Sequence, residues 1–481
     1  MKILVLNPAT KETRNVMRDV LYGCWCKGKR VGGATIPPLS LLYVATVLKS
    51  SGFNVTFLDA QAERKRFDEI LKKIINYNVL VISTSTMTFR EDVALLAEVK
   101  RVNSQLKTII FGSHPTFMPC YALDNKVVDI IVRREPEYII RDIISAMIKG
   151  NEYKNIKGIG YKEGDRVVLN DYYPFIDNLD ELPFPDRSLF PKGIDYFNPI
   201  VKRIPYTTAI TSRGCPAQCI FCTAPAFMGK RVRCRSAESV IEELEQIKIS
   251  GYKEVFLRDE TFTFFKERNI KICEEVIRRK IDISWICNAR VGTVDKEMMA
   301  LMKMAGCHYI KFGVESCVQE ILDSLKKGIT VEQIEKTFRW AHEVGIDTHA
   351  HFMIGNPGDS STTLDETIEV VKKLDPTTAS FGISTPYPGT ELFSIVAKKH
   401  PEIQDGSSVN LRNLHIQGFF TETYCDLSKE ELNKYQQKAY RDFYMRPTYI
   451  IQWLGRTRTI NELRRLILAG TYVFDFFLRG E

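Results

Sequence analysis

Three cysteines, Cys215, Cys219 and Cys222, stand close together in the run Cys215-Pro-Ala-Gln-Cys219-Ile-Phe-Cys222. Thiolates are soft metal ligands, and a C-x-x-x-C-x-x-C spacing on one loop lets all three serve one centre. Structural zinc takes four ligands, usually as two separated pairs, so it would have to recruit a distant residue such as Cys234. A four-iron cluster on three cysteines keeps one iron without a protein ligand. An enzyme needs that open iron and an electron carrier avoids it. Three thiols with no joint purpose is the weaker reading of so compact a group.

Such a loop must be held by regular elements. From residue 207 onward, strand patterns at 207–211, 254–257, 284–287, 309–314, 348–354 and 379–384 alternate with helical patterns at 237–249, 269–279, 295–304, 331–343 and 363–374. The first of these helices follows a Ser236 cap. This series predicts an open or partial barrel over 207–393, with the cysteines just after its first strand. Upstream, residues 1–150 carry strands at 2–6, 55–58, 79–83, 108–111 and 129–132, with helices at 39–50, 67–76 and 90–103. Strands apolar on both faces and joined by helices predict a doubly wound parallel sheet, which takes its ligand at the carboxyl ends of the strands. Residues 151–206 join the two domains: a hairpin over 156–170 turning at Gly164-Asp165, then a linker with six of the 20 prolines. Residues 394–481 form a C-terminal helical region.

The 481 residues are 44% apolar and 26% charged, which is globular and enough for two or three domains. A net charge of +8 is a mild excess for this length, and no nucleic-acid partner is expected. The apolar run at 3–6 stops at Asn7-Pro8, too early for a signal peptide. A cytoplasmic chain with reduced thiols is therefore expected, its clustered cysteines serving metal rather than disulfides. The best apolar stretch, 466–478, carries Asp475 and falls short of the ~20 residues of a membrane span.

The triplet, with Phe221 before its third cysteine, resembles the hallmark of the radical S-adenosylmethionine (radical SAM) superfamily, and the resemblance runs through 207–393. It implies a 4Fe–4S cluster on Cys215, Cys219 and Cys222 whose free iron chelates S-adenosylmethionine. One-electron reduction, by a donor such as flavodoxin or ferredoxin, would then release a 5′-deoxyadenosyl radical that abstracts hydrogen from substrate. Further segments look like the family's S-adenosylmethionine contacts. Asp259 and Glu260 follow the second strand, Asn288 and Arg290 the third, and Glu315 the fourth; Gly355 and Pro388 lie in later turns. Carboxylates at strand ends also cap helices, and Pro-Gly pairs also simply turn the chain.

The first domain resembles the cobalamin-binding domain found ahead of some radical SAM enzymes. The resemblance rests on Pro38 and Leu39, Thr84 and Thr86, Gly112-Ser113-His114 and Glu135. Two departures stand out: Ser113 replaces the second of two adjacent glycines, and Arg134-Glu135-Pro136-Glu137 replaces Gly-Glu-Gly-Glu. No Asp-x-His-x-x-Gly marks a lower cobalt ligand. Cys24, Cys26 and Cys120 are the poor makings of a second cluster of the kind radical methylthiotransferases carry.

The expected architecture is thus α/β: a Rossmann-like domain of cobalamin-binding type, a partial radical SAM barrel and a helical tail. The resemblance implies methyl transfer from cobalamin to an unactivated carbon, with no catalytic protein residue beyond the cofactor ligands. Cyclisation or carbon–carbon coupling without methylation, RNA methylthiolation, and a non-catalytic cobalamin or iron–sulfur sensor are the competing outcomes. Arginines mixed with large apolar residues over 448–478 suit either a helix packed on the barrel or one at a membrane surface. On that second footing a small apolar substrate is expected, with lipids among the candidates.

Overall fold

The computed structural model describes residues 1–10, 18, 35–194, 196–404 and 420–456. Cys24 and Cys26, and the tail from residue 457 to 481, lie outside them.

The first domain is built on β1 (Lys2–Asn7), β2 (Asn54–Asp59), β3 (Val79–Thr84), β4 (Lys107–Gly112) and β5 (Ile130–Val132), all parallel. Its helices are α1 (Leu39–Ser50), α2 (Phe67–Ile74), α3 (Phe89–Val102), the short α4 (Ser113–Phe117) and α5 (Pro119–Asp124), and α6 (Glu137–Lys149). The hairpin β6 (Ile159–Glu163) and β7 (Arg166–Leu169) adds two antiparallel strands, giving the order β2-β1-β3-β4-β5-β6-β7. Successive side chains on a strand face opposite ways, and the sheet has a core on each side. Ile3 and Val5 pack with α1 and α6, whereas Leu4 and Leu6 pack with α2, α3 and α5. Helices on both faces make this a doubly wound domain. Among its described residues the proline-rich stretch forms single 3₁₀ turns at Leu179–Glu181 and Arg187–Leu189 and an isolated antiparallel bridge from Phe197 to Thr35.

The second sheet is parallel throughout, in the order β15-β14-β13-β12-β11-β8. Its strands are β8 (Tyr206–Ala209), β11 (Glu254–Leu257), β12 (Ser284–Arg290), β13 (Cys307–Glu315), β14 (Asp347–Ile354) and β15 (Thr378–Ile383). A small ribbon of β9 (Ser212–Arg213) and β10 (Arg233–Cys234) brackets the cysteine loop and α7 (Ala224–Met228). Around the sheet run α8 (Ala237–Ile249), α9 (Lys266–Arg278), α10 (Lys296–Met304), α11 (Gln319–Ser324), α12 (Val331–Val344), α13 (Ser361–Leu374) and α14 (Glu391–Lys399). Ser236 caps α8 by accepting from the Ser239 amide. Six strands in one order make a partial barrel, as the βα spacing predicts.

The tail helices α15 (Lys429–Tyr444) and α16 (Pro447–Arg456) close the outer side. Leu432, Ala439 and Phe443 enter the barrel core, and the Tyr440 and Tyr444 hydroxyls reach backbone groups of β15. This helix is packed on the barrel through its apolar stripe. No described helix is long and apolar enough to cross a membrane.

Candidate functional site

The cysteine loop leaves β9 at Gly214, whose φ of +100° and closeness to the Arg231 carbonyl admit no side chain. Backbone bonds from Cys215 N to Gly229 O (3.1 Å), Ile220 N to Leu325 O (3.1 Å) and Leu392 N to Ile220 O (2.9 Å) stitch it in place. All three thiols are free and partly exposed. The Ala224 amide points at Cys222 Sγ (3.4 Å), and Arg290 Nη1 points at Cys219 Sγ (3.7 Å). Burial pushes the Cys222 thiol up to about 12, and the two neighbouring cysteines push the same way, so a thiolate there needs bound cationic metal. Among the described residues no three His, Cys, Asp or Glu side chains converge as one ion would require. A four-iron cluster spreads its thiolates over separate irons, so the donor set fits it.

Around this loop the strand ends bring together six of the residues expected to meet S-adenosylmethionine. Asp259 is fully buried and accepts from Thr211 N (2.7 Å), Thr211 Oγ1 (2.6 Å) and Ser212 Oγ (2.6 Å), which ties β11 to the start of the cysteine loop. Its backbone oxygen accepts from Asn288 Nδ2 (2.8 Å). Glu260 has a buried oxygen with no partner, and burial reinforced by Asp259 pushes its carboxyl up to about 8. An unsatisfied carboxyl of this kind fits an incoming ammonium group. Glu315 has φ +72° and pairs with Lys327 (2.8 Å), whose ammonium lies 5.8 Å from the Phe221 ring centroid. A side chain at Gly313 would lie 2.7 Å from Glu315 Oε1 and 2.9 Å from Lys327 Nζ, so glycine makes room for that pair. Gly355 directly follows β14, and Pro388 lies in the turn after β15. Gly355 (φ +78°) is packed under Leu432 and Thr421, and Pro388 is buried in a turn whose Gly389 abuts Phe117 of α4.

In the first domain Thr84, Gly112, Ser113 and His114 meet at the ends of β3 and β4. Gly112 has φ +124°, and a Cβ there would collide with the Thr84 carbonyl. The Thr84 hydroxyl donates to Asp92 (2.8 Å), which is paired with Arg18 (2.7 Å). His114 is wholly buried and stacked on Phe89 at 4.0 Å, and neither ring nitrogen has a partner; Ser83 Oγ is likewise buried and unpartnered. Orphaned polar atoms at strand ends suit a ligand rich in amide and nucleotide groups. Thr86 is buried nearby in chain order, while Pro38 and Leu39 open α1, Leu39 within the core.

Glu135 does something the sequence reading missed. Its carboxylate accepts from Arg213 Nη1 (3.1 Å), Arg233 Nη1 (2.9 Å) and the Ile176 amide (2.9 Å). Glu137 takes the other arm of Arg213 (2.6 Å), and Phe117 meets Phe227 of α7 edge-on at 6.2 Å. The loop that carries the cysteines is thereby clasped to the first domain. Arginines flanking the triplet and glutamates after β5 were the available signal, but only the fold shows that they meet.

The inner face of the barrel was also missed. Along β14 the residues Thr348, Ala350, Phe352 and Ile354 are buried under helices, whereas His349, His351 and Met353 alternate with them and are half-buried. Cross-strand register places Asn288, Lys311, His349 and Thr378 in one layer, and Arg290, Gly313, His351 and Ser380 in the next.

A thiol triplet at the mouth of a parallel partial barrel, clasped to a doubly wound ligand-binding domain, defines an iron–sulfur enzyme with a second cofactor domain. Residues 209–371 match the Radical SAM superfamily and residues 29–144 the B12 binding domain. The chain is 33% identical to an uncharacterized methyltransferase (PH0819) of Pyrococcus horikoshii over 94% of each protein. It is 29% identical to the anaerobic magnesium-protoporphyrin IX monomethyl ester cyclase of Rubrivivax gelatinosus, over 76% of this chain and 68% of that one. In fold it matches the radical S-adenosylmethionine methyltransferase TsrM of Kitasatospora setae, solved with cobalamin and a [4Fe-4S] cluster, with a TM-score of 0.72 at 17% identity over 98% and 99% of the two chains. The chain belongs to the radical SAM enzymes that carry a B12-binding domain, and its cofactors are a 4Fe–4S cluster, S-adenosylmethionine and cobalamin.

Proposed function

We propose that this enzyme transfers a methyl group to an unactivated carbon of a small-molecule or lipid-like substrate, drawing electrons from a flavodoxin- or ferredoxin-type donor. The observation that carries this reading is the clasp between Arg213 and Glu135, which turns the cysteine loop toward the strand ends of the B12 domain. When bound, the cluster and S-adenosylmethionine supply a hydrogen-abstracting radical, and cobalamin supplies the methyl group. The protein's own part is to hold and orient them. Cys215, Cys219 and Cys222 hold the cluster. Glu260 receives the amino group of S-adenosylmethionine, Arg290 and Lys327 set the positive field for its carboxylate, and Asp259 fixes the strand end on which Asn288 rests. Gly112, Ser113, His114 and Ser83 line the corrin side.

The test is anaerobic reconstitution with iron, sulfide and hydroxocobalamin, then metal assay and incubation with trideuteromethyl-labelled S-adenosylmethionine and titanium(III) citrate, which reduces the cobalt to the Co(I) that accepts a methyl cation. About four irons and one cobalt per chain, with labelled methyl reaching cobalt, is the expected result. Loss of all cobalt on gel filtration would overturn methyl transfer and leave a cobalamin-free radical reaction.

A further inference from the structure

Three buried cations near the cysteine loop are cancelled by carboxylates: Arg213 by Glu135 and Glu137, Arg233 by Glu135, and Lys327 by Glu315. Arg290 differs. Among the described residues its guanidinium meets no carboxylate, and its hydrogen bond goes to a sulfur, with Nη1 3.7 Å from Cys219 Sγ. Regular structure fixes both partners. Arg290 ends β12 in register with Gly313 on β13, and a Cβ at Gly328 would lie 3.5 Å from its other arm, Nη2. The residue after Cys219, Ile220, is tied through its backbone to Leu325 and Leu392. The arginine also acts on Cys215, where its charge opposes the upward push of burial on the thiol.

On the reading above, the three thiolates hold a four-iron cluster. An oxidised core of charge two plus on three thiolates carries one net negative charge, and an added electron makes it two. A cation or an N–H donor at a ligand sulfur stabilises the more negative state, so each raises the potential. The Ala224 amide gives Cys222 such a donor at 3.4 Å, but brings no net charge. The charge of Lys327 is answered by Glu315 at 2.8 Å. Arg290 supplies both at once, an N–H on the sulfur and an uncancelled charge, and a guanidinium stays charged at every working pH.

We propose that Arg290, through its N–H contact on the Cys219 sulfur, raises the reduction potential of the cluster and so eases the electron transfer that starts turnover. This rests on the enzyme reading above and gives Arg290 a task beyond the carboxylate of S-adenosylmethionine. One electron passes from the flavodoxin- or ferredoxin-type donor to the iron core. No bond forms or breaks, and no proton moves, because the arginine is charged before and after. Arg290 acts through Cys219, so it is a positioning residue for the reduction.

The test is an anaerobic redox titration of holoenzyme without S-adenosylmethionine, followed by the low-temperature electron paramagnetic resonance signal of the reduced cluster. Arg290→Met and Arg290→Gln should each be about tenfold harder to reduce than wild type, which is about 59 mV for a one-electron couple. Arg290→Lys, which keeps the charge, should regain part of that loss. Arg231→Met should leave the potential in place: Arg231 adjoins Gly214 at the start of the loop, but its exposed side chain is paired with Asp177. In wild type labelled with ¹⁵N at the arginine guanidinium, pulsed resonance of the reduced cluster should show a nitrogen coupling. That measurement needs no variant to load its cluster. Absence of the coupling overturns the proposal, as does a wild-type potential in either uncharged variant that holds about four irons. An equal drop in Arg231→Met overturns it too, since net charge would then suffice. Weaker S-adenosylmethionine binding at an unchanged potential would make Arg290 a carboxylate anchor alone. Iron and cobalt assays of the wild-type preparation report separately on the enzyme reading.

Discussion

Arg213, two residues before the first cysteine of the triplet, forms a buried ion pair of 3.1 Å with Glu135 of the B12 domain. Both side chains are about 95% hidden from solvent, and Tyr43 of α1 lies 5.5 Å from the guanidinium. Burial alone would raise the Glu135 carboxyl, but Arg213 and Arg233 override it and leave it below the usual range. The pair therefore stays charged wherever the enzyme works. A buried ion pair adds little net stability over an apolar contact, but removing one partner leaves the other charge stranded.

Glu135→Gln should cost about 3 kcal/mol of stability. It should also loosen the seating of the cysteine loop on the first domain. Denaturant unfolding measures the first effect. Pulsed electron paramagnetic resonance of cob(II)alamin and the reduced cluster measures the second, as a broadened distance distribution. A stability loss with an unchanged distribution would make Glu135 a scaffold residue with no bearing on cofactor spacing.

His114 makes a separate pH prediction. Burial pushes the folded ring down to about 3, whereas an unfolded histidine protonates near 6.5. Between those values the unfolded chain binds the extra proton. The contribution is complete above about pH 6.5 and falls as pH drops toward 3, by at most about 1.4 kcal/mol per unit. In cobalamin-free protein, His114→Phe should keep the stack on Phe89 and lose about 2 kcal/mol less than wild type between pH 7 and pH 5. Equal losses of unfolding free energy in wild type and variant between the two pH values, measured by guanidinium titration, would show that the ring is not held neutral.

Cys215→Ala should abolish iron binding and leave cobalt binding intact. The thiol sits on the loop after β9, while the orphaned Ser83 and His114 atoms sit at the ends of β3 and β4. Iron and cobalt assays on one preparation decide it. Joint loss of both metals would mean that the cluster is needed to assemble the B12 domain.

Much of this was readable in the sequence because it is local. The cysteine spacing, the Ser236 cap, the apolar run at 255–257 and the alternation at 348–354 need no tertiary information. So do the limits of Leu39–Ser50 and Ala237–Ile249, which the apolar spacing gives without adjustment. Side-chain partnership across domains is different. Glu135 and Arg213 are far apart in the chain, and nothing near either one says that they meet. Likewise the β14 alternation shows that His349 and His351 share a face, but which face looks inward depends on the helices that cover the other. Gly355 reads as a ligand-side turn in sequence, and its packing under Leu432, on a helix that folds back from the tail, shows only in the fold.

Arg134 offers the last test, on the departure from the Gly-Glu-Gly-Glu pattern. Its φ of +69° is a left-handed conformation that glycine adopts freely and other residues hold at about 1–2 kcal/mol. What offsets the strain is stacking: the guanidinium lies 3.8 Å from the Tyr172 ring centroid and 4.9 Å from that of Phe175. Such contacts contribute about 0.5–1 kcal/mol each at partly exposed sites. Arg134→Gly loses the stacking and the strain together, so it should change stability by under about 1 kcal/mol. Arg134→Ala loses the stacking and keeps the strain, so it should be less stable than the glycine variant by about 1 kcal/mol. Unfolding midpoints of the three proteins in guanidinium settle the order. An alanine variant as stable as the glycine variant would show that the backbone there is not strained, and that Arg134 contributes only by stacking on Tyr172 and Phe175.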